Sequence, residues 1–219
     1  MANEAEISER RVQIPPSGVA GDLTIPVSAR GIIVFAHGSG SSRLSSRNRF
    51  VAGVLQRAGL ATLLLDLLTA EEEQIDLRTG HLRFDIDLLH RRLVEATRWL
   101  ADDLQAGALP VGYFGASTGA AAALTAAAAL PASTRAIVSR GGRPDLAGSA
   151  LSRVQAPTLL IVGGNDDPVI ELNQQALKSL HCDKKLEIVP AATHLFEEPG
   201  TLEKVAELAK NWFQKHFFL

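Results

Sequence analysis

Apolar and polar positions follow two rhythms along this chain. Short, nearly continuous apolar runs alternate with longer stretches whose apolar residues recur every three or four positions. The runs at 31–36 (Ile32, Ile33, Val34, Phe35), 61–67, 111–115, 135–139, 158–163 and 186–189 read as strands covered on both sheet faces. Two further strands, near 11–14 and 22–27, flank Pro15-Pro16-Ser17-Gly18, a turn cluster short enough to predict an antiparallel pair at one edge. Between the strands, Ile86, Leu89, Leu93, Ala96, Leu100 and Leu104 place one apolar stripe on a long helix, and Leu202, Val205, Ala206, Ala209, Trp212, Phe213 and Phe217 do the same near the C-terminus. Residues 119–130 are almost pure alanine, a strong helix former whose small side chains allow close approach to a sheet. The polar stretch 69–83 shows no period and reads as a long loop. This alternation predicts an α/β fold with a mostly parallel sheet, in one domain over 1–219.

Composition narrows the class without naming a chemistry. Apolar residues make up 46% and charged residues 21%, ordinary globular usage. A chain of 219 residues buries roughly 70% of its unfolded surface, enough for a core without staples. Twenty-two basic against 24 acidic side chains leave a net charge of −2, which predicts neither a nucleic-acid partner nor an acidic membrane. The single cysteine, Cys182, cannot form an internal disulfide and suits a reducing compartment. Met1-Ala2-Asn3-Glu4-Ala5-Glu6 lacks the order of a signal peptide, and the longest apolar stretch falls short of the ~20 residues that span a bilayer. The expectation is a soluble, cytoplasmic protein, monomer or homodimer, with the Phe217-Phe218-Leu219 tail packed on its own domain.

Three separated segments carry candidate chemistry. Gly115-Ala116-Ser117-Thr118-Gly119 is a G-x-S-x-G sequence between a strand and a helix, a turn that lifts the Ser117 hydroxyl above the C-terminal edge of the sheet. A serine hydroxyl needs a base. His90, His181 and His216 fall in or near helical patterns, and His81 lies in the polar stretch. His194 follows the last strand and emerges at the same edge as Ser117. The strand 158–163 ends in Gly164-Asn165-Asp166-Asp167-Pro168, so Asp166 is the expected partner of His194 and Asp167 the fallback. The order Ser117, Asp166, His194 is that of the α/β-hydrolase triad. His37-Gly38-Ser39-Gly40 closes the third strand with an H-G-x-G turn whose amides are open to an oxyanion.

On these motifs the chain, from about Val19 to its end, resembles the dienelactone-hydrolase-like group of α/β-hydrolases. The resemblance implies an eight-stranded sheet, no metal or organic cofactor, and oxyanion donors at the backbone N–H groups of Ser39 and Thr118. Dienelactone hydrolases use a cysteine nucleophile, whereas position 117 is serine, so a serine esterase is the nearer reading. Only 18 residues separate Ser139 from Thr158, too few for a helical cap, and a shallow, open site is expected. Arg140 and Arg143 follow a strand at the same edge and are candidates for binding an anionic acyl substrate, although an arginine paired with a local carboxylate such as Asp145 is the nearer reading. Arg43, Arg47 and Arg49 read mainly as solvated surface. The expected activity is cleavage of small-molecule carboxylic esters or lactones through an acyl-enzyme on Ser117. Acyl transfer or amide hydrolysis by the same residues, or a non-catalytic binding protein of this fold, are the alternatives.

Overall fold

The computed structural model describes residues 7–218; the acidic N-terminal residues and Leu219 of the apolar tail lie outside them. The sheet has eight strands in the order β1 (Ile7–Ile14), β2 (Val19–Pro26), β4 (Ala61–Leu65), β3 (Ile32–Ala36), β5 (Val111–Ala116), β6 (Thr134–Arg140), β7 (Thr158–Gly163) and β8 (Lys184–Val189). The first two pair antiparallel across the proline turn, with Ile14 opposite Val19, and β2 is antiparallel to β4. Every other pairing is parallel.

The strand periodicity sorts side chains into two cores. Ile32, Val34, Ala36, Leu63 and Tyr113 face helices α3 (Ile86–Asp102) and α4 (Thr118–Ala129). Ile33, Phe35, Phe114 and Val138 face α1 (Ser46–Arg57) and α6 (Thr201–Phe217). The alanines of α4 are buried on nearly all sides because the helix lies wedged between the sheet, α3 and the segment after β6. Phe217 packs on its own domain, its ring filling the space beside Gly31 and Gly112.

Four local readings are corrected by the structure. Residues 69–83 are not a loop: α2 (Ala70–Thr79) occupies most of them. Its start is a capping box, with the Glu72 amide donating to Thr69 Oγ1 (3.2 Å) and the Thr69 amide to Glu72 Oε2 (2.8 Å). The helix shows no period because it buries no apolar stripe; Asp76 is its only buried residue. The long helix α3 stops at Asp102, leaving Leu104 fully exposed, since Asp103 accepts the Gln105 and Ala106 amides and turns the chain. The edge strands β1 and β8 begin earlier than their apolar runs, in Ile7-Ser8-Glu9-Arg10, where one face meets solvent, and in Lys184-Lys185, where both side chains do. Arg43 is not solvated surface: it is largely buried and pairs with Asp66 and Asp22.

No cap rises after β6. Residues Pro144–Arg153 form short 3-10 turns broken at Gly148 and packed beside α4 and α5 (Asp167–Ser179). Among the described residues, no helix is long and apolar enough to cross a membrane.

Candidate active site

Ser117 sits at the turn between β5 and α4 with φ 50° and ψ −122°, a conformation that a non-glycine residue adopts only when its surroundings impose it. Backbone hydrogen bonds impose it here. The Ser117 amide donates to the Arg140 carbonyl (3.3 Å), and the Ser117 carbonyl accepts the amides of Ala120 (3.1 Å) and Arg143 (3.0 Å). The helix can approach only because position 119 is glycine; a Cβ there would collide with the carbonyl oxygens of Ala36 and His37. The Ser117 turn and the His37–Gly40 turn are therefore pressed together, and a Cβ on Gly38 would meet Ser117 Cβ at 3.0 Å.

The second half of the site comes from two loops laced to each other. The Gly164 amide donates to the Val189 carbonyl (2.8 Å), the Asn165 amide to the Ala192 carbonyl (2.9 Å), and Asn165 Nδ2 to the Ala191 carbonyl (3.0 Å). Ala191 and Phe196 adopt positive φ, and the buried Phe196 ring anchors the second loop. This lacing brings His194 Nδ1 to 2.7 Å from Asp166 Oδ2. Asp166 stands at the N-cap of α5 but its side chain makes no capping bond, being turned to the imidazole. Asp167 is exposed in the first turn of that helix.

Ser117 and His194 line one cavity of about 240 Å³, together with Gly38, Ser39, Arg47 and Arg140. No hydrogen bond joins the Ser117 hydroxyl to the ring among the described residues; contacts of this kind commonly tighten only around a bound substrate. A second chamber of about 190 Å³ lies beside the His37–Gly40 turn, where Leu67, Leu77 and Leu89 border it together with the charged Asp66, Glu73, Asp76 and Arg83. Ser39 borders both spaces. Thr118 opens α4, so its amide belongs to the helix end, where backbone donors lack intrahelical partners.

His37 holds the turn that follows β3. Its Nε2 accepts the Leu67 amide (3.1 Å), which leaves the proton on Nδ1 to be donated to the Gly38 carbonyl (2.9 Å). Burial pushes its pKa down, outweighing the Gly38 bond and the charges of Asp66 and Glu73, so the ring stays neutral. The pattern H-G-x-G marks this turn in the sequence, yet it does not reveal that the imidazole bridges two strands' ends.

The two arginines at the end of β6 separate. Arg143 does not line the cavity of Ser117 and His194; its guanidinium is occupied by Asp145 at 2.7 and 2.9 Å. Arg140 lines the cavity and is 7% exposed. Arg47, read as surface, lines it too, as does the buried Asn48, which nothing in the sequence singled out. His81 is exposed and bonded to Thr79, away from this cavity. Among the described residues, no cluster of three or more His, Cys, Asp or Glu side chains is placed to hold a metal ion.

An eight-stranded, mostly parallel sheet between helical layers, with a strained serine turn at its C-terminal edge, is an α/β-hydrolase fold. Residues 19–218 match the dienelactone hydrolase family, and the chain belongs to that family of hydrolases. It is similar to a crystal structure of dienelactone hydrolase from Anabaena variabilis, with 60% identity, a TM-score of 0.94, and 98% of this chain and 100% of that one covered. Est1E from Butyrivibrio proteoclasticus shares the fold at 16% identity and a TM-score of 0.77, over 95% and 99% of the two chains. A Mycobacterium tuberculosis protein named "Putative phosphoribosyl transferase" is 58% identical over 217 residues, 98% of this chain and 48% of its own length. The chain therefore spans about half the length of the curated relatives it matches.

Proposed function

We propose that this protein is a serine hydrolase cleaving carboxylic esters or lactones of modest size. Ser117 attacks the carbonyl as His194 takes its proton, and the Ser39 and Thr118 amides hold the tetrahedral oxyanion. Collapse of that intermediate expels the alcohol, which His194 protonates, and leaves an acyl group on Ser117. Water deprotonated by His194 then releases the acid and restores the serine. Asp166 keeps the ring proton on Nδ1 and stabilises the imidazolium. The reading needs no cofactor.

The observation that carries it is the 2.7 Å contact between His194 Nδ1 and Asp166, with the ring opening onto the cavity that Ser117 also lines. The phosphoribosyl transferase name of the longer relatives is not carried over, since this chain matches only half of them and itself belongs to a hydrolase family. The test is labelling with a fluorophosphonate, followed by peptide mapping, alongside turnover of a p-nitrophenyl ester. One adduct on Ser117, and loss of both labelling and turnover in Ser117→Ala, is the expected result. A folded protein that takes no label, or unchanged turnover in the variant, overturns the reading.

A further inference from the structure

The chamber beside the His37–Gly40 turn has walls of two kinds. Leu67 and Leu89 reach it from the core, and Leu77 closes it from α2. Helix α2 turns Glu73, Asp76 and Leu77 to this space, positions three and four residues apart that share one helical face. A helix without an apolar stripe thus presents carboxylates inward, which packing alone does not require.

Most of this charge is already matched. Asp66 accepts the Arg43 amide at 2.7 Å and pairs with the Arg43 guanidinium, which does not border the chamber. Asp76 holds Arg83, the charged cation of the lining. Glu73 remains, with no ion pair among the described residues, so the chamber keeps an uncompensated negative charge. The charges of Asp66 and Glu73 both pull the His37 pKa upward against burial, so their fields reach the turn.

Thr118 adds an independent sign. It borders the chamber and is 3% exposed, yet its hydroxyl has no hydrogen-bond partner. A buried hydroxyl is disfavoured in that state unless something in the adjoining space completes it. Among the described residues, no cluster of His, Cys, Asp or Glu is placed to hold a metal ion, so an organic cation fits better. Its methylenes would lie against the leucines and its N–H groups would meet Glu73 and Thr118.

We propose that this chamber is a receptor for a primary ammonium group on an aliphatic arm, with Glu73 as counter-ion and Thr118 as hydrogen-bond acceptor. A charge-assisted bond to a carboxylate is the stronger kind, and the leucines select a methylene chain over a polar one. The arm belongs to the acyl portion of the ester. His194 must hand its proton to the departing alcohol and opens on the other cavity, so this chamber takes the part that stays on Ser117. The side of the bond rests on the serine-hydrolase reading; the receptor itself rests on Glu73, Thr118 and the leucines.

The test compares three ethyl esters of matched length: ethyl 6-aminohexanoate, ethyl heptanoate and monoethyl pimelate, which end in an ammonium, a methyl and a carboxylate. The ammonium ester should exceed each of the others by about tenfold in kcat/KM, mainly through KM. The preference should collapse in Glu73→Gln, whose side chain is exposed and not needed for folding. It should persist in Glu71→Gln, on the same first turn but outside the chamber lining. A ratio near one in the native protein, or one unchanged in Glu73→Gln, overturns the receptor and leaves the hydrolase standing. A second arm needs no turnover: hexylammonium chloride is titrated while Tm is followed, with 1-hexanol and sodium hexanoate as neutral and anionic counterparts. A rise with hexylammonium alone that vanishes in Glu73→Gln supports the receptor even if no ester is cleaved and Ser117 takes no label. No rise, or an equal rise with hexanol, counts against it.

Discussion

The imidazole of His194 is bonded to Asp166 rather than to Asp167, although the two carboxylates are adjacent in the chain. Asp166 stops just short of α5 and points back across the sheet edge, while Asp167 begins the helix and faces solvent. Replacing Asp166 by Asn leaves the ring with the wrong tautomer, so kcat should fall by about 10³- to 10⁴-fold. Asp167→Asn should change kcat by no more than about threefold, because an exposed first-turn carboxylate contributes mainly through the helix dipole. Steady-state kinetics on one aryl ester distinguish the two, and a reversed order would exchange their roles.

His37 predicts a pH dependence of stability. Its folded pKa lies below the ordinary 6.5, so the unfolded chain binds the proton more readily. The neutral ring's contribution is complete above about pH 6.5 and is lost as pH falls towards the folded value. His216, lowered by burial and by Lys215 against the pull of Asp183, acts in the same direction. Denaturant unfolding at pH 7.5 and pH 5 should show a smaller drop in His37→Gln than in the native protein. The same variant should lose about tenfold in kcat as the Gly38–Ser39 turn loosens.

Gly119 gives a prediction opposite to helix propensity. Alanine at an ordinary helical glycine stabilises by up to about 1 kcal/mol. At position 119 the added methyl meets the Ala36 and His37 carbonyls, so Gly119→Ala should destabilise by about 1–3 kcal/mol and reduce activity through displacement of Ser117. Urea unfolding measures the first effect. An unchanged midpoint would show that the two turns can part freely.

Asp76 ties α2 to the turn that follows it. It accepts the Leu82 amide at 2.7 Å and the Arg83 amide at 3.1 Å, and pairs with the Arg83 guanidinium. Burial raises its pKa, but the Arg83 side chain and the two amides outweigh it, leaving the carboxyl below its usual range. The ionised form therefore stabilises this segment fully above about pH 4, and the contribution is lost as pH falls through the depressed value. Asp76→Asn should raise amide exchange over 70–84 by about tenfold at pH 7, with little change in the core strands.

Particular residues show what the chain made legible. The central strands could be read because Ile32–Ala36 and Thr158–Gly163 are buried on both faces and leave an unbroken apolar run. Helix α2 could not be read by period, since it lies on the surface and is held by Glu72, Asp76 and Arg92 instead of an apolar face. Its capping box was visible in Thr69 and Glu72, a signal that apolar spacing overlooks. The placement of Ser117 and His194 was legible because each follows a strand at one sheet edge. Arg47 and Asn48 were not. They stand on α1, and only the packing of that helix against the sheet turns them towards Ser117.

The short turns after β6 have a kinetic consequence. With nothing roofing this edge, the His194 side chain retains 39% of its exposure. A substituent covalently parked on Ser117 would sit within reach of bulk solvent. Its fate would then be governed by abundance, and water outnumbers every competing acceptor. Under the proposed mechanism such nakedness would bias the chemistry towards scission over exchange without any residue dedicated to that choice.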